Sequence, residues 1–131
     1  MDIPSDVRFI EHVVERVQLE CRALAYAQRQ IALNVPVALT EALSNAIRCG
    51  NCDDPSKHVH VRASVDTNQL IVEVRDEGAG FDLDACTIDV DAGPVDREDG
   101  RGLFLMRKLM DRVEQIAAAH GNTVRLTLRR G

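Results

Sequence analysis

The sequence predicts an α+β fold, a two-layer sandwich in which a mostly antiparallel sheet is covered on one face by three helices. Segments with helical periodicity and segments that alternate apolar and polar residues follow in the order helix, helix, two strands, loop, helix, two strands. The chain has 131 residues and is 45% hydrophobic, which is enough for one core and too little for two. We therefore expect a single domain over residues 1–131.

Two helices are predicted in the first fifty residues. The first runs from about Asp6 to Gln30, where apolar residues recur at helical spacing and Ser5 is available as the N-cap. The second begins near Asn34 as N-cap, accommodates Pro36 in its first turn and ends at Gly50. Its apolar stripe consists of Val35, Leu39, Ala42, Leu43, Ala46 and Ile47.

The first hairpin and a loop follow the second helix. Residues 58–65 and 70–75 alternate apolar and polar side chains, and "DTN" between them supplies the turn. Residues 83–99 lack periodicity and carry six acidic residues against one base, Arg97. This composition is typical of a loop.

The chain closes with a third helix and a second hairpin. The helix is predicted from about Gly102 to Met110, and strands are predicted near 112–118 and 123–129. The turn of this hairpin is assigned to "HGN". The apolar side of the helix consists of Leu103, Met106, Leu109 and Met110.

Charge and hydropathy exclude several classes of partner. The formal net charge is -5, with 21 acidic against 16 basic residues, which gives no sequence-wide attraction to nucleic acid or to an anionic membrane. No stretch approaches the roughly 20 apolar residues that cross a bilayer, and "MDIPSDVRFI" does not have the pattern of a signal peptide. We expect a cytoplasmic protein with neither a nucleic acid nor a membrane partner.

The four cysteines are expected to be reduced thiols, because a chain with this apolar content does not need disulfides and nothing suggests export. The motif "CGNC", Cys49 to Cys52, has the spacing of a redox or metal motif, with His58 and His60 close behind. Because these histidines occupy alternate positions of a predicted strand, they do not suit the knuckle of a structural zinc site. The sequence therefore favours an interpretation without metal here.

Two glycine pairs lie beside charged residues at the ends of predicted elements. In "DEGAGFD", Asp76 ends a strand and can accept a hydrogen bond from an amino group, while Gly78 and Gly80 let the backbone turn beside a flat ligand. In "DGRGLFLM", Gly100 and Gly102 precede a helix whose N–H groups can face a phosphate. An ordinary strand exit and a flexible helix entry remain the alternatives.

Glu41 and Asn45 lie four residues apart, and hence on one face of the second predicted helix, beside its apolar stripe. A carboxylate can act as a general base towards a hydroxyl, and an amide oxygen can complete the coordination of Mg²⁺ without adding charge. The alternative is a solvated helix face.

Together, "EALSNAIRCGN", "DEGAGFD" and "GRGLFLM" resemble the N, G1 and G2 boxes of the Bergerat-fold ATPase superfamily, which includes histidine kinases and gyrase-type ATPases. They occur in that order and in helix, strand and helix contexts. Within the superfamily, the small size, the "NAIR" continuation and "GRGLFLMRKLMDRV" are most similar to the anti-sigma factor serine/threonine kinases. The resemblance covers about residues 34–129.

The resemblance implies ATP and Mg²⁺ as cofactors and a role for each motif. Glu41 would be the catalytic base and Asn45 the Mg²⁺ ligand. Asp76 would bind the adenine amino group in a pocket shaped by Gly78 and Gly80. The nucleotide phosphates would be held under a lid formed by residues 83–99, by Gly100, Arg101, Gly102 and Leu103.

The function implied by the resemblance is that of an ATP-dependent protein serine kinase acting as an anti-sigma factor. Its partners would be an anti-anti-sigma protein, phosphorylated on serine, and a sigma factor held inactive. Two alternatives stay open: a non-catalytic ATP-binding interaction module, and the detached ATP-binding domain of a sensor histidine kinase. The second is disfavoured because His12 lies in a single predicted helix and not in a helical hairpin.

Two positions depart from the family pattern. Cys49-Gly50 stands where relatives often have histidine-glycine. Relatives also usually begin with a β-strand, whereas only "MDIPS" precedes the first predicted helix. The sheet edge is therefore expected to be short, missing or completed by another chain, and formation of a homodimer stays open.

Overall fold

The structure, a computed structural model, describes residues 1–78, 104–118 and 121–131. These residues contain an antiparallel sheet of five strands in the order β1-β2-β3-β5-β4. The strands are β1 Asp2–Pro4, β2 His58–Val65, β3 Gln69–Arg75, β4 Arg112–Ala118 and β5 Gly121–Arg129. The last strand begins at Gly121, so Gly121 and Asn122 of the predicted turn belong to β5.

Within the described part of the chain, three helical segments accompany the sheet. A short 3-10 turn, Val7–Phe9, leads into α1, Ile10–Ala23. Residues 28–50 form one continuous segment, called here the long helical segment; it contains α2, Val35–Asn45, between wider π-type turns at Gln30–Asn34 and Ala46–Gly50. Residues 104–109 form the third helix, α3. The predicted α+β architecture is confirmed.

The predicted end of the first helix is wrong. The helix stops at Ala23, and Ala25 adopts a φ of 58°, a left-handed conformation that interrupts the helix. The interruption turns Tyr26 into the core, where it is 4% exposed and its hydroxyl donates to the Asp66 carbonyl at 2.8 Å. The predicted apolar spacing of this helix holds at Ile10, Val14, Val17 and Cys21, which are buried, but not at Val7, which is 54% exposed.

Both predicted N-caps are also wrong. The Ser5 hydroxyl donates to the Lys57 carbonyl at 2.8 Å, and Asp6 caps the first turn by accepting from the Arg8 N–H at 2.9 Å. Asn34 has helical dihedral angles inside the long helical segment. Its amide Nδ2 donates to the Leu109 carbonyl at 2.7 Å, a tertiary contact that replaces the expected capping bond.

The N-terminal residues supply the edge strand that the sequence left open. Ile3 of β1 pairs with Val59 of β2 and is 5% exposed. The Met1 ammonium donates to the Val61 carbonyl at 2.8 Å, which extends the pairing by one residue. The sheet edge is therefore short, and it is formed within this chain.

The core fills the space between the sheet and the helices. The long helical segment contributes the whole predicted stripe, and Met106 of α3 is fully buried. Burying each large apolar side chain contributes about 1.5–3 kcal/mol relative to exposure. The opposite sheet face is polar, and there Arg125 bridges Glu73 at 2.8 Å. The largest fully buried side chains include Leu39, Leu43, Ile47, Leu70, Val72 and Leu126.

Candidate functional site

Asp76 is a buried carboxylate fixed by backbone groups. It follows β3 directly and is 1% exposed. Its N–H donates to the Asn122 carbonyl at 3.0 Å, and its Oδ1 accepts from the N–H of Gly78 at 2.9 Å and of Asn122 at 3.2 Å. Burial raises the pKa of Asp76, and these two hydrogen bonds partly offset the increase. The residue is thus held in one position in a desolvated place.

Three glycines allow the chain to pack against Asp76. A Cβ on Gly50, at the end of the long helical segment, would overlap the Asp76 Oδ2 atom. A Cβ on Gly78 would overlap the carbonyl oxygen of Gly50, and one on Gly121 would overlap that of Asp76. Gly121 also has a φ of 137°, which side chains rarely adopt. The helix end and the strand exit are therefore in direct contact.

The long helical segment carries Glu41 and Asn45 towards this place. Asn45 is 7% exposed, and its Nδ2 has no hydrogen-bond partner within the described residues. Glu41 is half-buried one turn earlier. At the helical rise, Asn45 and Glu41 lie on the order of 7 and 13 Å along the helix axis from Gly50. Asn45 and Glu41 thus precede, by about one turn and by about two to three turns, the helix end that contacts Asp76.

The remaining predicted site residues lie outside the described residues. They are Gly80, Gly100, Arg101, Gly102 and Leu103. The helix that follows them, α3, is described, and it is tied to the long helical segment by the bond between Asn34 and Leu109. The predicted loop over residues 83–99 also lies outside the described part of the chain.

Asn51 is a residue of this region that the sequence analysis missed. It is fully buried and follows the long helical segment directly. Its Oδ1 accepts from the Glu77 N–H at 2.7 Å, one residue beyond Asp76. Its sequence signal, an asparagine after a helix-ending glycine, is shared by ordinary turns.

The "CGNC" motif does not form a described metal site. Within the described residues, no group of three or more His, Cys, Asp or Glu side chains is arranged to hold a metal ion. Cys21 and Cys52 are free thiols, but Cys49 is disulfide-bonded, so the expectation of a reduced thiol is wrong for Cys49. Apolar composition shows whether a chain needs a disulfide, and it does not show which cysteines come within bonding distance.

Comparison with known proteins defines the class. The family description "Histidine kinase-like ATPase domain" matches residues 3–128 of the chain. The chain therefore belongs to the histidine kinase-like ATPase domain family, and the resemblance to Bergerat-fold ATPases is confirmed. Within the described residues, no helix has the length and apolar content needed to cross a membrane.

Two relatives are similar over nearly the whole chain. The serine-protein kinase RsbW of Bacillus velezensis is 32% identical over 135 residues, covering 97% of this chain and 82% of the relative. The serine-protein kinase RsbW of Bacillus subtilis is 30% identical with the same coverage. The chain is thus similar to serine-protein kinases as well as to the ATPase family.

Solved structures share the fold at low identity. The histidine kinase domain of the Erythrobacter litoralis EL346 blue-light activated histidine kinase superposes with a TM-score of 0.58 at 16% identity, covering 98% of this chain and 62% of that one. The chain thus spans less than two thirds of that structure. The mycobacterial sensor histidine kinase MprB gives a TM-score of 0.52 at 15% identity, with coverage of 98% and 96%.

Proposed function

We propose that the protein is an ATP-dependent protein serine kinase that acts as an anti-sigma factor. It phosphorylates a serine of an anti-anti-sigma protein and sequesters a sigma factor, and we place both actions in the cytoplasm. The observation that carries the proposal is the buried Asp76 carboxylate: within the described residues, every hydrogen bond to it reaches Oδ1. Oδ2 accepts no hydrogen bond from the described residues, and we assign it to the ligand. The similarity to serine-protein kinases supports serine as the acceptor.

The residues present fit ATP. A carboxylate oxygen suits the amino group of adenine, because a charged acceptor strengthens the hydrogen bond. Gly50, which packs directly on the Asp76 carboxylate, presents no side chain beside it. Gly78 shapes the pocket at the strand exit, and Gly80 is predicted to do so next to it. Base recognition is thus assigned to the strand exit.

The long helical segment carries the residue that we assign to the phosphates of the nucleotide, Asn45. The buried Nδ2 of Asn45 has no partner within the described residues, and an unpaired buried polar group costs about 1–3 kcal/mol. Such a cost is explained if the amide serves a bound ligand. Because Nδ2 is a donor, it would serve a phosphate oxygen, whereas Mg²⁺ would be held through Oδ1 of Asn45 and would neutralise charge on the phosphates. Phosphate contacts from Gly100, Arg101, Gly102 and Leu103 stay predictions.

Glu41 is assigned the role of general base, which accepts the proton of the serine hydroxyl. As the serine hydroxyl attacks the γ-phosphoryl group of ATP, it loses a proton, and the Glu41 carboxylate accepts it. The bond from the phosphorus to the ADP oxygen breaks, so that phosphoserine and ADP are formed. Glu41 thus acts in the chemical step, whereas Asn45 and Asp76 act already in nucleotide binding.

The test uses these different roles. Glu41→Ala should keep Mg-ATP affinity and lower serine phosphorylation by roughly 10²- to 10⁴-fold, the usual range for a general base. Asn45→Ala should weaken nucleotide binding in the presence of Mg²⁺ more than in its absence. Thr40→Ala, exposed on the same helix, is the matched control and should change neither quantity.

ATP affinity with and without Mg²⁺ is measured by calorimetry, and phosphotransfer with labelled ATP and a cell extract, followed by identification of the labelled protein. A wild-type protein that binds ATP and a partner but transfers no phosphate under any metal condition would refute the kinase. The non-catalytic interaction module would then be the correct assignment.

A further inference from the structure

Asn51 connects three parts of the chain through one buried side chain. Its Nδ2 donates to the Ser5 hydroxyl and to the His58 carbonyl, both at 2.9 Å. Its Oδ1 accepts from the Glu77 N–H at 2.7 Å. Asn51 is fully buried, and both of its donor hydrogens and its acceptor oxygen are used. Only an amide of this length supplies two donors and an acceptor at this point.

The bond to Glu77 acts on the residue next to Asp76. The peptide that joins Asp76 to Glu77 carries the N–H held by Asn51. The following N–H, from Gly78, returns to the Asp76 Oδ1 atom at 2.9 Å. The direction of the carboxylate therefore depends on the path of the backbone over residues 76–78, and Asn51 fixes the first peptide of that path.

The side chain of Glu77 fixes the same turn from the sheet. Its Oε1 accepts from the His58 N–H at 2.8 Å, and its Oε2 lies 2.7 Å from His60 Nε2. The other ring nitrogen of His60 lies 2.7 Å from Asp2 Oδ1. These contacts hold the Glu77 side chain against β2, whereas its backbone amide depends on Asn51.

We infer that Asn51 is a positioning residue of the adenine pocket, which sets the backbone after Asp76 so that Oδ2 of the carboxylate faces the base. The inference rests on the proposed function, since it assumes that Asp76 receives the adenine amino group. Without the Asn51 bond, the peptide between Asp76 and Glu77 loses the hydrogen bond that fixes it. The Asp76 carboxylate is then no longer oriented towards the adenine amino group, whereas the contacts to the phosphates are unaffected.

The ratio of the affinities for ATP and inosine triphosphate measures whether the carboxylate is correctly oriented. Inosine triphosphate carries a carbonyl in place of the amino group, so it cannot donate to Asp76. We expect the wild type to prefer ATP by about 10-fold or more, the ratio that corresponds to one charged hydrogen bond. Asn51→Leu, which keeps the volume and removes the hydrogen bonds, should reduce the preference to within about 3-fold.

Ser5→Ala is the matched control. It removes one hydrogen-bond partner from the same buried amide but leaves the bond between Asn51 and Glu77 in place, so the wild-type preference should be retained. Should Asn51→Leu fail to fold, Asn51→Ser is measured in the same way, because its shorter side chain keeps a polar group in the site. Affinities are determined by calorimetry, and folding is checked by circular dichroism.

The outcomes separate the inference from the proposed function. A folded Asn51 variant that keeps the wild-type ratio, or that loses affinity equally for both nucleotides, overturns the positioning role alone. A wild type that binds both nucleotides equally well overturns the contact between Asp76 and adenine. A wild type that binds neither overturns the proposed function and the inference with it.

Discussion

Replacing Asp76 by asparagine should change ATP affinity and the stability of the nucleotide-free protein in opposite directions. The substitution keeps the shape of the side chain, and the asparagine oxygen can still accept from Gly78 and Asn122. It removes the charged acceptor for the adenine amino group. A charged hydrogen bond contributes about 1.5–3 kcal/mol, so the Kd for ATP should rise by roughly 10- to 150-fold.

The stability effect has the opposite sign. Burial raises the pKa of Asp76, so the folded protein holds this proton more tightly than the unfolded chain. As the pH rises from the ordinary carboxyl pKa of about 4 through the raised value, the wild type loses stability that the neutral asparagine keeps. The free energy of unfolding of Asp76→Asn should therefore exceed that of the wild type increasingly over this window, and the difference should then level off.

Calorimetric titration with Mg-ATP and denaturant unfolding between about pH 4 and 8 test both effects. Unchanged ATP affinity in a folded variant would remove Asp76 from the pocket. A variant less stable than the wild type at every pH would show that the ionised carboxylate stabilises the fold, contrary to the argument from burial.

Three further substitutions test the packing beside Asp76, in the core and after the end of α1. Gly50→Ala should impair both folding and ATP binding, because its Cβ would overlap the Asp76 carboxylate; normal ATP affinity measured by calorimetry would contradict that approach. Leu43→Ala, at a fully buried position, should lower the free energy of unfolding by about 2–5 kcal/mol in urea titrations. Tyr26→Phe should cost about 0.5–1.5 kcal/mol by losing its bond to Asp66, and an unchanged unfolding midpoint would show that water replaces this bond.

The repeating patterns of the sequence predicted most of the fold. The stripe on the long helical segment is buried as predicted, because helical periodicity directly reports which face packs on the sheet. Residues 58–65 and 70–75 were placed within one residue of β2 and β3. Strand β1 escaped detection because three residues are too few to show alternation.

Helix ends were harder, because they depend on contacts distant in sequence. Asparagine is a favoured N-cap residue, but Asn34 lies inside the long helical segment. Its side-chain amide donates instead to the carbonyl of Leu109, 75 residues away. Ala25 has no local signal for its left-handed conformation, since alanine favours helices. The burial of Tyr26, the residue after Ala25, determines where the chain leaves the helix.

The residues of the candidate site that belong to short sequence motifs could be predicted. Asp76 and Gly78 belong to one such motif, and the structure buries both. Asn51 and Gly121 were missed because their importance arises only when the helix end, the strand exit and the start of β5 meet. These tertiary contacts leave no local pattern in a single sequence.

The glycines around Asp76 limit how this region can evolve. Gly50, Gly78 and Gly121 come from three separate parts of the chain, and an added methyl group on any of them meets a backbone oxygen or the carboxylate itself. A second mutation elsewhere cannot shorten a backbone, so compensation by side-chain exchange is closed for Gly78 and Gly121, and at Gly50 it would require replacing Asp76 itself. An engineer who wishes to alter the preferred base should therefore leave this corner intact and randomise neighbouring positions whose side chains have room to change.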